Sequence, residues 1–152
     1  LEFQNLKARE VMVPRTEIIS VEIHETVSNL KNAFIKTGLS KILVYKSSLD
    51  DVVGYVNAFE LFKTPKTIKS ILLPLELVPE SMMINDVLNA LMKKRKSVAV
   101  VIDEYGGTSG MITVEDIVEE LVGEIEDEHD SQEFLEEKIP YPSERLVYVG
   151  IT

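Results

Sequence analysis

Apolar and polar positions along the chain follow an order that occurs twice. Each copy begins with a short motif ahead of an apolar stretch and continues with an amphipathic helix pattern, two β-rich runs around a polar turn, and a closing helix. The motif and the predicted segments lie at 11–15, 27–34, 41–45, 52–56 and 58–62 in the first copy, and at 71–75, 84–92, 97–102, 108–112 and 114–122 in the second. The sequence therefore predicts the order βαββα twice, with a period of about 57 residues.

The two copies are expected to fold together. Neither copy carries enough apolar faces to bury a core alone, so the two should share a core of sheet and helix. The predicted fold class is α/β in the α+β sense, with two βαββα repeats packed pseudo-symmetrically. We place the repeats at 10–66 and 67–126, and at 127–152 an acidic linker with the truncated start of a further C-terminal domain. The chain is therefore expected to be a fragment of a longer protein.

Composition restricts the functional class. With 45% hydrophobic residues the chain is typical of globular proteins, and no apolar run approaches the ~18 residues that span a bilayer. The sequence has no cysteine, which excludes disulfides and thiolate metal sites. The net charge of −10 is concentrated at 115–137, where twelve carboxylates occur without a lysine or arginine. Such a tract is typical of a solvated helix face and tail, and it argues against nucleic acid as a partner.

The sequence offers no arrangement for catalysis or for a protein-bound metal. Neither His24 nor His129 has a partner in a nucleophile or metal-ligand motif, so both are interpreted as surface residues. No P-loop or Rossmann glycine motif occurs. The acidic run at 126–130 lacks the glycine and the spacing of a calcium loop. We therefore predict no catalytic residue and no metal site.

The pair Thr113 and Asp116, at the turn into the last helix, has two interpretations. In the first, the pair forms a capping box that only satisfies the first turn of the helix, which contributes about 1 kcal/mol. In the second, the carboxylate accepts from the hydroxyls of a ribose, while the threonine and the helix N-terminus favour a phosphate. The first copy has Asn57 and Glu60 at the equivalent positions, and the longer Glu60 would crowd a ribose. Two unequal sites are therefore expected.

Four stretches of the chain resemble a known family. They are VMVPR at 11–15, VIDEYGGTSG at 101–110, ITVEDIVEELVGEI at 112–125 and EDEHD at 126–130. In these stretches the chain resembles the tandem CBS-domain pair, or Bateman module, of the CorC/HlyC hemolysin-like family, which is similar to the CBS modules of CNNM magnesium transporters. The resemblance covers roughly residues 10–130.

The resemblance implies that an adenine nucleotide binds in the cleft between the repeats. The family pattern G-h-x-T-x-x-D, which contacts ribose and phosphate, is matched by Gly110, Thr113 and Asp116. Adenine would lie against Leu73, Ser97 and Val98. Phosphates would approach Lys41, where the family often has arginine, and Arg15. A lysine retains the charge at this position but not the bidentate geometry.

The resemblance also implies a setting for the module. ATP with Mg²⁺ is the favoured ligand and AMP the alternative, with the metal bridged to phosphates and not held by a protein cage. The family's CBS pair lies on the cytoplasmic side of a cell membrane, attached to a transmembrane domain implicated in magnesium or cobalt efflux, and it forms homodimers. The implied function is non-enzymatic nucleotide sensing. The competing hypothesis is a ligand-free dimerisation and docking module whose Thr113–Asp116 pair is only a helix cap.

Overall fold

The computed structural model describes residues 5–130. The helices are α1 (Ala8–Val11), α2 (Val27–Thr37), α3 (Ile84–Lys93) and α4 (Val114–Asp130). The strands are β1 (Val13–Pro14), β2 (Ser20–Glu22), β3 (Lys41–Lys46), β4 (Ser48–Asn57), β5 (Glu76–Pro79), β6 (Val98–Ile102) and β7 (Thr108–Thr113). Short 3-10 helices lie at Arg15–Glu17, Ala58–Lys63 and Lys69–Ile71. The predicted class, with both sheets and helices, is confirmed. The repeat boundaries stay a prediction. The predicted linker and domain start at 127–152 overlap α4 as far as Asp130, and the rest of that range lies outside the described residues.

Each copy builds a sheet around one parallel crossover. In the first copy α2 connects the parallel strands β2 and β3, and β4 returns antiparallel to β3. In the second copy α3 connects the parallel strands β5 and β6, and β7 returns antiparallel to β6. The strand orders are β2-β3-β4 in one sheet and β1-β7-β6-β5 in the other. The internal repeat predicted from the sequence is therefore present as two equivalent sheet-and-helix units.

The first segment of each copy crosses to the sheet of the other copy. Strand β1 pairs antiparallel with β7, and Leu73 forms an isolated bridge with Tyr55 of β4. A glycine lies under each crossing segment. A Cβ at Gly110 would lie within 3.0 Å of the Val13 carbonyl oxygen, and a Cβ at Gly54 within 3.0 Å of the Leu73 carbonyl oxygen. The two glycines therefore permit a close backbone approach that a larger residue would prevent.

Three apolar clusters form the core, and the third of them joins the two copies. One belongs to the first copy and one to the second, and α1 contributes the fully buried Ala8 to the second. The third cluster draws on both sheets, with Leu43 and Tyr55 from the first and Val98, Val100 and Met111 from the second. Since each of these side chains is at most 9% exposed, the shared cluster joins the two sheets into one core.

The closing helices of the two copies are unequal. The predicted helix at 58–62 is a 3-10 helix of six residues, because the Asn57 side chain accepts from the nearby Phe59 N–H and Thr64 ends the segment with φ +48°. The second copy closes with the 17-residue α4, whose first turn is fully capped. Within residues 5–130, none of the helices combines the length and the apolar character needed to cross a bilayer.

Candidate functional site

A cleft of about 290 Å³ lies where the crossing segment of the first copy meets the turn from β7 into α4. Its walls come from the chain between β1 and β2, the residues just before β3, and the start of α4. The lining residues are Val13, Glu17, Ile18, Ile19, Leu39, Ser40, Lys41, Met111, Thr113, Glu115 and Asp116. This mixture of apolar walls with a few convergent polar groups is typical of a small-molecule site.

At the floor of the cleft, Thr113 and Asp116 form a reciprocal capping box. The Asp116 N–H donates to Thr113 Oγ1 over 3.0 Å, and the Thr113 N–H donates to Asp116 Oδ2 over 3.0 Å. These bonds satisfy two groups of the first turn of α4 and fix both side chains. Asp116 Oδ1 accepts no hydrogen bond from the described part of the chain, so one carboxylate oxygen is available to a ligand. The capped helix start therefore leaves a rigid acceptor at the cleft.

Lys41 reaches the cleft from the first residue of β3. Its side chain is 12% exposed, and its Nζ lies 3.2 Å from Glu115 Oε2 in the first turn of α4. Burial disfavours the ionised form of Glu115, but its own backbone N–H and the Lys41 ammonium outweigh that effect and lower the pKa of the carboxyl. Glu115 was not among the residues predicted from the sequence; its place between Thr113 and Asp116, in the first turn of the predicted helix, was the available signal.

Three of the predicted site residues lie outside the lining of the cleft. Val98 is fully buried in the shared cluster, Leu73 bridges Tyr55, and the Ser97 hydroxyl lies 3.3 Å from the Tyr55 hydroxyl. These residues were expected in one pocket with Thr113. None of the three lines the cleft, although the Val98 backbone pairs with Thr113 and the Ser97 carbonyl accepts from the Val114 N–H, so their role as ligand contacts stays a prediction.

The Arg15 side chain bonds to residues of both copies. Its Nη1 donates to Asp50 Oδ1 over 2.5 Å and to the Thr108 carbonyl over 2.9 Å, and the Thr108 N–H donates to the same Asp50 oxygen over 3.0 Å. The Arg15 guanidinium and the Thr108 N–H hold the pKa of Asp50 below its usual range. Arg15 does not line the cleft, and neither does Gly110, which instead lets Val13 approach β7.

The equivalent turn of the first copy has different contacts. Asn57 Oδ1 accepts from the Phe59 N–H over 3.0 Å, and Glu60 forms an ion pair with Lys63 at 2.8 Å. The Glu60 carboxylate is therefore directed to a lysine of its own segment and does not close a capping box. The expected inequality of the two turns is present in their hydrogen bonds.

The electrostatics of the cleft are dominated by carboxylates. Among its lining residues, Lys41 is opposed by Glu17, Glu115 and Asp116. Within residues 5–130, no cluster of three His, Cys, Asp or Glu side chains could hold a metal ion. A polyanionic ligand would therefore gain from a cation that it brings with it.

Comparison with known proteins gives consistent matches. The CBS-domain family model matches residues 69–123. The CBS domain of a bacterial CNNM/CorC family Mg²⁺ transporter, solved in complex with ATP, is 34% identical with a TM-score of 0.76, covering 80% of this chain and 91% of that one. A CBS-domain pair with bound AMP from Klebsiella pneumoniae is 30% identical with a TM-score of 0.65, covering 78% of this chain and 99% of that one.

A curated relative, the UPF0053 protein YugS of Bacillus subtilis, is 38% identical over 137 residues, which are 87% of this chain and 32% of the relative. The chain spans about a third to a half of the length of the first curated relatives that it matches.

Proposed function

Because the chain belongs to the CBS-domain pairs of the CNNM/CorC family, we propose that it is a non-enzymatic regulatory module that binds an adenine nucleotide in the cleft at Thr113 and Asp116. The observation that supports this is the convergence of Lys41, Thr113 and Asp116 on one apolar-walled cleft. These residues come from different copies, and a helix cap alone would not require the lysine of the other copy.

The chemistry of the cleft suits the parts of a nucleotide. The free oxygen of Asp116 would accept from the ribose hydroxyls, and charge-assisted bonds of this kind are among the stronger hydrogen bonds. Thr113 and the Lys41 ammonium would hold the phosphates near the N-terminus of α4, where the helix dipole favours anions. The apolar side chains of Ile18 and Met111 would contact the adenine. The predicted adenine contacts Leu73, Ser97 and Val98 do not line this cleft, and their role stays a prediction.

We propose ATP with Mg²⁺ as the preferred ligand and AMP as the alternative. The relatives solved with ATP and with AMP support both. The excess of carboxylates over Lys41 favours a nucleotide whose charge is partly neutralised by a metal. Mg²⁺ usually retains waters and binds through substrate phosphates, which fits a cleft without a protein metal cage.

The parent protein is proposed to be a membrane transporter, with this module on its cytoplasmic side. A homodimer would form through apolar side chains that the described residues leave exposed. Phe59 and Phe62 stack at 6.3 Å and are 73% and 83% exposed, and Ile35 shares a groove with Phe62. A ligand that prefers one arrangement of the copies would shift the population of dimer geometries, and thereby the attached transmembrane domain.

Calorimetric titration and thermal melting of the 152-residue chain test the proposal. ATP, ADP and AMP would be compared with and without Mg²⁺, with GTP as the control for the base. We expect saturable binding of adenine nucleotides and a rise in melting temperature by mass action, without ATP turnover over hours. Absence of both heat and thermal shift would overturn nucleotide binding, and sustained hydrolysis would overturn the non-enzymatic assignment.

The ligand-free docking module remains the second candidate, because the Thr113–Asp116 box is complete without a ligand. It predicts that substitution of Asp116 lowers the melting temperature equally in the presence and absence of nucleotide.

A further inference from the structure

The Lys41–Glu115 ion pair has one fixed and one movable partner. The Lys41 side chain is 12% exposed and lies on the strand β3, where its backbone pairs in register with Asn57. The Glu115 side chain is 67% exposed at the start of α4. The largely buried Lys41 side chain is confined by the walls of the cleft, whereas the exposed Glu115 side chain can turn into solvent by rotating about its own bonds.

We propose that Glu115 is an internal competitor for the ligand phosphate, occupying Lys41 in the free protein and giving it up when a nucleotide binds. The inference rests on the proposed nucleotide function and names the residue that sets its selectivity for phosphate. Lys41 is the only lysine or arginine among the described residues that line the cleft. A phosphate that approaches the cleft therefore requires the same ammonium group that Glu115 holds.

Burial explains why a competitor is needed at this position. The Lys41 side chain is largely buried, and a cation in such surroundings without a counter-charge is costly, so the free protein gains from a carboxylate beside it. The same carboxylate would oppose a bound phosphate, because like charges at short range repel in a partly desolvated cleft. The exposed position of Glu115 resolves this conflict, since an exposed carboxylate regains its hydration when it leaves.

The competition penalises ligands according to their phosphate charge. Adenosine needs neither Lys41 nor the departure of Glu115, whereas AMP needs both and ATP carries more negative charge past Glu17 and Glu115. Neutralising Glu115 should therefore improve binding of ATP more than AMP and leave adenosine unchanged. The effect should be largest without Mg²⁺, because the metal reduces the charge of the triphosphate.

Calorimetry on Glu115→Gln tests the proposal, with ATP, AMP and adenosine as ligands in EDTA at low ionic strength. We expect the Kd for ATP to fall about three- to fivefold, which corresponds to the free energy of a partly exposed ion pair. The Kd for adenosine should change less than twofold. Glu119→Gln is the matched control, since Glu119 is an exposed residue of the same helix that does not line the cleft. It should bind all three ligands like the unaltered chain.

A double-mutant cycle with Lys41→Met asks whether Glu115 acts through Lys41. In the Lys41→Met background, Glu115→Gln should no longer tighten ATP binding beyond twofold. Lys41→Gln serves the same purpose if the methionine variant does not fold, and circular dichroism identifies that case.

The outcomes separate this inference from the proposed function. If the unaltered chain binds ATP but Glu115→Gln binds it no more tightly, or tightens adenosine equally, Glu115 is not a competitor and nucleotide binding still stands. If ATP tightens equally in the Lys41→Met background, the effect does not pass through the ion pair and the inference fails. If no variant binds a nucleotide, the proposed function fails and the inference fails with it.

Discussion

Replacement of Asp116 by asparagine separates the capping role of this residue from its proposed role in binding. The bond between the Thr113 N–H and Asp116 Oδ2 requires only an oxygen acceptor, which an asparagine side chain also supplies. The variant therefore keeps the cap and loses the negative charge. Replacement by alanine removes both the acceptor and the charge.

The contacts of Asp116 determine which free-energy changes are expected in each variant. Loss of a carboxylate from the first turn of a helix costs about 0.3–1 kcal/mol, so Asp116→Asn should lower the melting temperature by only a few degrees. Loss of the acceptor in Asp116→Ala adds about 1 kcal/mol. For the unaltered chain, ATP at a hundred times its Kd adds about 2.7 kcal/mol of stability. A lost charge-assisted bond to the ribose weakens binding about 10- to 100-fold, which reduces that gain to about 0.4–1.4 kcal/mol.

Thermal melting of each variant, with and without ATP and Mg²⁺, measures both quantities at once. Asp86→Asn is the matched control, because Asp86 occupies the same third position in the first turn of α3, outside the cleft. It should lose a similar fraction of stability and retain the full thermal shift with ATP. Asp116→Asn should retain most of its stability and lose most of the shift.

Two results would refute this reasoning. A full ATP-dependent shift in Asp116→Asn would show that its carboxylate does not hold the ligand. A stability loss in Asp116→Asn as large as in Asp116→Ala would show that the capping bond needs the charge, and the two roles could then not be separated in this way.

Three further predictions concern the fold and its assembly. Gly110→Ala should destabilise the chain by about 1–3 kcal/mol, measured by urea unfolding, because the new methyl group would force β1 away from β7. Glu76→Gln should be less stable than the unaltered chain at pH 7, because hydrogen bonds from Lys94 and Lys96 lower the pKa of Glu76. This difference in stability should vanish as the pH falls below 4.5, the ordinary pKa of a glutamate, and through the lowered pKa of the folded state. Phe62→Asp should convert the proposed homodimer to a monomer in light scattering, because the 83%-exposed ring would leave an apolar contact.

Matched controls accompany these variants. Gly123→Ala places its methyl group in open space on α4 and should be neutral or slightly stabilising; a loss equal to that of Gly110→Ala would contradict the steric explanation. Tyr105→Asp, at an 88%-exposed hairpin position, should leave the dimer intact.

Local pattern predicted most of the elements and the candidate turn, although the strand expected at 52–56 begins at Ser48 and the helix expected at 58–62 is a 3-10 helix. The strands at 41–45, 97–102 and 108–112 differ from β3, β6 and β7 by at most one residue at either end, because alternation and turn residues are local signals. Spacing alone also predicted the capping box of Thr113 and Asp116. Such features depend on residues that are close in the sequence.

Long-range pairing could not be predicted in the same way. Strand β1 has two residues, and its partner is decided by a glycine about a hundred positions away. As a result, Leu73 was expected with Thr113 although it lies beside Tyr55. Arg15 was likewise predicted to be a phosphate ligand, because no residue near it in the sequence indicated its ion pair with Asp50. These contacts join residues that are far apart in the sequence, and local spacing does not reveal them.

The register of the two hairpins explains why the two turns should bind ligands unequally. Lys41 is paired with Asn57 in the first sheet, and Val98 is paired with Thr113 at the corresponding place in the second. Lys41 lines the cleft at the second copy's turn, and the equivalent register position of the second sheet holds the neutral Val98. The carboxylate of Glu60 is moreover held by its neighbour Lys63. Because the register position equivalent to Lys41 is neutral, we infer that the first turn would accept a less charged ligand than the nucleotide proposed for the second.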